Sequence, residues 1–267
     1  MVPAPADPPD PDSVHGASGP VDDRRPFGYQ DLPAAEKTRR VRDVFDSVAG
    51  RYDLMNDLMS GGIHRLWKDD LVGEVAPRTG QLCLDVAGGT GDIAFRLARR
   101  GADVVVCDIN QSMLSVGRDR AYDRGHVNLD GGLQWVCAAA EAVPLPDRCA
   151  DIYTIAFGLR NVTDIPQALA EARRVLKPGG RFYCLEFSHV RFAPLRRAYD
   201  AYSFAVLPRI GALVAHDADS YRYLAESIRR FPDQEHLVGL MAGAGLARGR
   251  YRNLLGGIAA IHSAWRL

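Results

Sequence analysis

A short apolar strand candidate, Leu82-Cys83-Leu84-Asp85-Val86, runs directly into Ala87-Gly88-Gly89-Thr90-Gly91-Asp92, after which a helix begins. No other stretch restricts the fold as tightly. Glycines there permit a tight turn and let backbone approach a ligand beside the positive end of a helix. The rest of the chain repeats the strand–helix alternation. Strand candidates follow at 104–108, 133–137, 152–157 and 181–185, with helical patterns over 93–100 and 112–124. The helix over 165–176 is the best marked, with Asp164 as N-cap, Pro166 in its first turn and Pro178-Gly179-Gly180 as its stop. The pattern predicts an α/β chain with parallel strands and helices on both faces.

The ends differ in kind. Residues 1–23 hold six of the sixteen prolines and five aspartates, with no Lys or Arg. Such a segment buries too little apolar surface to offset its ordering entropy, and a disordered tail is expected. It lacks the basic start and apolar stretch of a signal peptide, and it is too acidic for a transit peptide, so a bacterial cytoplasmic protein is expected. Residues 24–267 then carry 33 basic and 28 acidic side chains, a balance too even for a general nucleic-acid binder. The five cysteines form no C-x-x-C pair, which argues for buried free thiols rather than zinc or disulfides. Apolar runs fall far short of the roughly 20 residues of a membrane span. From about residue 34 the spacing is helical. Val41, Val44, Phe45 and Val48 form one apolar stripe, Leu54, Met55, Leu58 and Met59 a second, and Ile63, Leu66, Trp67 and Leu71 a third.

Asp108 closes the second strand nineteen residues beyond Gly89, where a carboxylate accepts hydrogen bonds from both hydroxyls of a ribose. Gly89-Thr90-Gly91-Asp92-Ile93-Ala94 also satisfies the dinucleotide pattern G-x-G-x-x-A, so an NAD-dependent oxidoreductase stays open at this point. Asp85, just before the glycines, instead suits a cationic ligand such as S-adenosyl-L-methionine, which carries an ammonium and a sulfonium and no phosphate. The loop Ala140-Glu141-Ala142-Val143-Pro144-Leu145-Pro146-Asp147 looks like the adenine-side loop of class I methyltransferases. Arg174-Val175-Leu176-Lys177-Pro178-Gly179-Gly180 resembles their segment before the fifth strand.

More particular strings narrow the choice. Val44-Phe45-Asp46-Ser47-Val48-Ala49, Tyr52-Asp53-Leu54-Met55-Asn56-Asp57, His64-Arg65-Leu66-Trp67-Lys68, Phe157-Gly158-Leu159-Arg160-Asn161-Val162-Thr163-Asp164, Leu185-Glu186-Phe187-Ser188 and Ser220-Tyr221-Arg222-Tyr223-Leu224-Ala225-Glu226-Ser227-Ile228 resemble the ubiquinone/menaquinone biosynthesis C-methyltransferases, over about residues 27–267. The resemblance implies a class I methyltransferase fold, a seven-stranded, mostly parallel sheet with its last strands near 247–253 and 257–265. It adds an N-terminal helical lid (34–75), a cofactor-binding core (80–190) and a helical insert over the active site (191–231). It implies methyl transfer from S-adenosyl-L-methionine to a ring carbon of a polyprenylated quinol, either demethylmenaquinol or a methoxybenzoquinol. A non-catalytic subunit of a quinone-synthesis assembly is the alternative outside enzymology. The implied partners are the quinol, a membrane surface touched peripherally, and another copy of the chain or a quinone-synthesis complex; no metal is implied.

By position, Asp85, Gly89, Thr90, Gly91 and Asp108 would contact the cofactor, and Ala139 and Ala140 would flank its adenine. Ala139 and Ala156 depart from the family's usual polar residues, which predicts weaker cofactor binding. Arg160, after the fourth strand, is expected as a permanent cation holding the quinol oxygen as a phenolate. For the proton acceptor, Asp217 is preferred over His216, with Asp219 as a helix N-cap and Tyr221 as a substrate contact. His64, Trp67 and Met55 read as core or lid, and His262 as a core histidine. Arg196, Arg197, Arg209, Arg229 and Arg230 suit anionic headgroups.

Overall fold

The structure is a computed structural model, and it describes residues 23–48, 57, 60–123, 125, 132–206 and 218–267. The acidic Pro-rich tail therefore lies outside the described residues, apart from Asp23. So do the apolar stripe of Leu54, Met55, Leu58 and Met59, the residues His216 and Asp217, and the side chains of Asp219 and Tyr221.

The core is one seven-stranded sheet in the order β5-β4-β3-β6-β7-β9-β8. Its strands are β3 (Leu82–Val86), β4 (Asp103–Asp108), β5 (Leu133–Cys137), β6 (Ala150–Ala156), β7 (Leu176–Phe187), β8 (Ala247–Leu254) and β9 (Ala259–Trp265). The first five run parallel, while β9 pairs antiparallel with both β7 and β8. The parallel strands are buried runs such as Val104-Val105-Val106-Cys107, because helices cover both faces. Two apolar layers result. One centres on Trp67, Leu71, Leu97 and Phe187, the other on Tyr153, Leu169, Phe182 and Met241.

The helices fall close to their expected places: α1 (Ala34–Val48), α2 (His64–Val75), α3 (Asp92–Ala98), α4 (Gln111–Asp123) and α5 (Ile165–Val175). Asp164 caps α5 as expected, its side chain accepting from the Gln167 N–H. Three more follow, α6 (Ala193–Ala201), α7 (Ala218–Arg230) and α8 (Gln234–Gly243). Two features differ from the sequence reading. Residues 24–33 form a hairpin, β1 (Arg24–Phe27) and β2 (Gln30–Pro33), in strands too short to show periodicity. The strand β7 begins at Leu176, immediately after α5, and runs through Pro178-Gly179-Gly180. Its register with β6 shifts between Ala150 and Ile152 to absorb those residues, so they act as a bulge as well as a helix stop.

Candidate active site

At the carboxyl ends of β3, β4 and β6 the chain opens a cleft. Ligands of open α/β sheets bind at this edge. The floor is the glycine loop. Gly91 has φ +81°, and a Cβ on it would lie 2.6 Å from the Trp135 ring. At the facing loop a Cβ on Gly158 would lie 2.4 Å from the Ala87 Cβ, so the Gly158 backbone packs directly on the Ala87 methyl. Ala87 and Phe157, the last residues before those loops, both carry positive φ (50° and 56°). Strain of this kind concentrates at ligand sites.

Asp108 is buried at the end of β4. Its Oδ2 accepts from the Gly89 N–H at 2.8 Å and its Oδ1 from the Asn110 N–H at 2.8 Å. Burial pushes its carboxyl up to about 6, while these backbone donors oppose the rise. Gly89, Asp108 and Ala140 line the cleft. Ala139 lies beside it, its carbonyl accepting from the Ala142 N–H, and Ala138 takes the lining position instead.

Helix α1 roofs the cleft with Thr38, Val41, Arg42 and Phe45. It is fastened at both sides. Lys37 Nζ donates to the Val162 carbonyl at 2.6 Å, and the Thr38 and Thr163 hydroxyls lie 2.8 Å apart. Across the cleft, Asn110 Nδ2 donates to Asp46 Oδ1 at 3.0 Å. These α1 contacts were invisible in sequence, since each joins residues at least 64 positions apart.

A smaller recess shares Ala87 and Phe157 with the cleft and is lined by Lys68, Asp85, Thr90, Asp92 and Ala156. Asp85 is 1% exposed. Its Oδ1 accepts from the Thr154 hydroxyl at 2.8 Å, while Oδ2 has no hydrogen-bond partner among the described residues. Desolvation pushes this carboxyl up to about 7. Lys68 Nζ sits 2.8 Å from Asp92 Oδ2 and is nearly as buried. An orphaned acceptor beside a buried ammonium complements a zwitterion, with Asp85 Oδ2 taking an ammonium and Lys68 a carboxylate. The residues present thus fit S-adenosyl-L-methionine end to end. Asp108 and Ala140 would hold the adenosine, and Asp85 and Lys68 the amino-acid end. Thr90 lines the recess, with its Oγ1 accepting from Arg120 at 3.1 Å, and Gly91 shapes the loop beneath.

This arrangement carries a pH signature. Asp85 and Asp108 hold their protons more tightly folded than unfolded, so each withdraws stability from the free protein as pH rises from about 4 through about 7. A bound ammonium facing ionised Asp85 reverses that loss. The rise in melting temperature given by S-adenosylhomocysteine should therefore be larger at pH 7.5 than at pH 5. Equal shifts at both pH values would remove Asp85 as the ammonium partner.

Arg160, the permanent cation expected to hold the quinol oxygen, is 6% exposed, and its Nη1 donates at 2.6 Å both to Glu186 Oε1 on β7 and to the Phe157 carbonyl. Glu186 is fully buried, and its second oxygen accepts from the Arg160 backbone N–H. A guanidinium this deep needs a counter-ion, and Glu186 supplies it. Arg160 does not line the cofactor cleft, whereas the next residue, Asn161, does. Asn161 Oδ1 accepts from the Tyr223 hydroxyl at 3.0 Å, and the Tyr223 ring stacks on Phe27 at 4.2 Å. Asn161, Glu186 and Lys68 were overlooked as functional residues, although all three stand in strings already singled out. His64 is a buried histidine bonded to Asp57 at 3.0 Å and pushed down to about 4 by desolvation; His262 is likewise buried, bonded to the Gln234 carbonyl. Among the described residues no cluster of His, Cys, Asp or Glu is arranged to hold a metal.

A mostly parallel sheet with this strand order, and a cleft shaped for a zwitterionic sulfonium nucleoside, define a class I S-adenosylmethionine-dependent methyltransferase. The sequence matches the ubiE/COQ5 methyltransferase family over residues 34–266, and the chain belongs to that family. It is 58% identical over 242 residues to the ubiquinone/menaquinone biosynthesis C-methyltransferase UbiE of Acidiphilium cryptum, covering 90% of this chain and 96% of that protein. The protein of the same name from Methylobacterium nodulans is 57% identical over 246 residues, again covering 90% and 96%. Among solved structures, a Thermotoga maritima S-adenosylmethionine-dependent methyltransferase, described as a possible histamine N-methyltransferase, superposes with a TM-score of 0.60 at 18% identity, covering 85% of this chain and all of that one. That likeness concerns the fold alone. The family match removes the NAD-dependent reading left open by the glycine pattern.

Proposed function

We propose that the chain methylates a ring carbon of a polyprenylated quinol in respiratory quinone biosynthesis, with S-adenosyl-L-methionine as methyl donor. The observation that carries this reading is the zwitterion-complementary recess opening into a cleft with apolar walls, in a chain of this family. The bound cofactor supplies an electrophilic methyl on sulfur. The protein's own task is to align the ring carbon, exclude water and stabilise the quinol oxygen as it loses its proton. Glu186 largely balances the charge of Arg160, so the donor assigned to that oxygen is the side-chain amide of Asn161. Tyr223 occupies the amide's oxygen and leaves Nδ2 for a ligand. Arg160 then acts as a positioning residue for the loop carrying Asn161. Asp217 remains the proposed proton acceptor and Tyr221 a proposed substrate contact. The test is methyl transfer from labelled cofactor to demethylmenaquinol and to a desmethyl benzoquinol, each presented in detergent. Label in neither product would overturn the reading, and label in one names the acceptor.

A bilayer-resident substrate also calls for peripheral membrane contact on the cytoplasmic side. No helix among the described residues is long and apolar enough to cross a membrane. Phe192 is 65% exposed and Leu255 50% exposed, and Arg196 and Arg197 are exposed on α6. Each arginine near an anionic surface contributes about 1 kcal/mol. Replacing Arg196 and Arg197 together by Gln should therefore weaken binding to anionic vesicles roughly thirtyfold, measured by co-sedimentation. Unchanged sedimentation would place the contact elsewhere.

A further inference from the structure

A second groove adjoins the cofactor cleft and shares Val162 and Thr163 with it. Its apolar wall stands open. Pro26 and Pro166 are exposed there, and Ile165, Pro232 and Leu240 are half-buried. Three cations stand among them, Arg25, Lys37 and Arg230, against one carboxylate, Asp164. A fourth lining cation, Arg160, is balanced by buried Glu186 and adds nothing to that count. Arg25 pairs with Asp164 at 3.1 Å, and Arg230 pairs with Asp31 at 2.9 Å. Both pairs are partly exposed, where such pairs hold weakly and a further carboxylate can join.

A mildly basic, proline-edged groove fits a segment rich in proline and aspartate, and this chain carries one. Residues 1–22 hold six prolines and four aspartates with no Lys or Arg, and they precede the family match, which begins at residue 34. The segment joins the fold at the groove itself. The Asp23 carbonyl accepts from the Ala34 N–H, and three residues later Pro26 already stands in the groove wall. The run from Pro3 to Asp12 holds five of the prolines and three of the aspartates. Residues 13–22 tether it to the rim and span at most about 35 Å, enough to lead back along the groove. A tether of that length keeps the run at roughly millimolar effective concentration, so weak contacts suffice. Proline also presets the extended backbone that such grooves take, which lowers the cost of ordering. We propose that residues 3–12 dock in cis along this groove, with prolines on Ile165, Pro166 and Leu240 and carboxylates beside Arg25 and Arg230. The docked run then lies against Val162 and Thr163, next in the chain to Asn161.

The test uses the full chain with a nitroxide on Ser13→Cys, in a background of Cys137→Ser and Cys149→Ser, and reads paramagnetic broadening of backbone amides by NMR. Amides of Ile165, His236 and Leu240 should broaden in about 50 mM salt, and the effect should fall about threefold or more in about 0.5 M salt, where charges are screened. Asp7→Asn, Asp10→Asn and Asp12→Asn together should cause the same loss. So should Ile165→Glu, which sets a repelling carboxylate in the wall at a helix start that tolerates it. Retained S-adenosylhomocysteine affinity certifies each variant as folded. Broadening that is absent in the parent, or that survives in either folded variant, overturns the proposal. Broadening of equal strength between a spin-labelled chain and a separate isotope-labelled chain also overturns it, because the groove then holds the segment of a second copy.

Discussion

Arg160→Ala should lower folding stability by about 3–5 kcal/mol, the usual cost of stranding one member of a buried ion pair. Glu186 would stand in a site with no exposure and without its counter-ion. Burial already holds its carboxyl above the ordinary range, with Arg160 pulling it back. Removing the arginine raises it further, so the folded variant binds a proton that the unfolded chain releases near pH 4. The sign follows: the deficit is smallest in acid and grows as pH rises through the folded value. Urea unfolding at pH 5 and pH 8 checks this. Adding Glu186→Gln should restore most of the loss at pH 8, and that double variant is the proper background for measuring turnover. Wild-type stability in Arg160→Ala at pH 8 would mean that the pair does not hold the loop.

Asp108→Ala should weaken cofactor binding by about a hundredfold, measured by calorimetry with S-adenosylhomocysteine. Two charge-assisted hydrogen bonds to ribose are lost, each worth about 1.5–3 kcal/mol. The same carboxylate also accepts from the Gly89 and Asn110 N–H groups, so the variant loosens the floor of the cleft as well. With its carboxyl near 6, the wild-type protein should bind progressively less tightly as pH falls below that value. Asp108→Asn should show intermediate affinity and keep only the part of the acidic limb that Asp85 contributes. An unchanged dissociation constant in Asp108→Ala would end the assignment of Asp108 to the ribose.

Which parts of this molecule could be read from its sequence follows from the range of the interactions. The strands β3 to β6 and the helices between them are local objects, set by periodicity and caps such as Asp164, and they lie close to where the pattern puts them. The glycine loop and Asp108 are nineteen residues apart on adjoining strands, and that spacing is itself a local signature. The position of Arg160 is legible in the sequence, and its environment is not. Its partner Glu186 lies 26 residues away on the next strand, and nothing in either neighbourhood announces the pair. The hairpin at 24–33 stayed hidden because four-residue strands leave no period to detect, and its Phe27 is held by stacking on Tyr223. Asn161 stands in the same string as Arg160, and nothing local marks its contact with Tyr223, 62 residues away.

The fastening of α1 has a consequence for the order in which the chain assembles. This helix leaves the ribosome some 125 residues before Val162 and Thr163, which it needs. Until then its apolar stripe has no floor to rest on, and an isolated helix of fifteen residues is marginal in water. Closing so long a loop has an entropic cost that only a formed sheet edge can offset. The roof of the cleft therefore docks after the walls stand. In pulse-labelled refolding, amides of β3, β4 and β6 should gain protection before those of α1. Early protection of α1 would reverse that sequence of events. Newly made chains thus pass through a stage in which the cofactor edge is built and uncovered, and in that interval S-adenosylmethionine has an unobstructed way in.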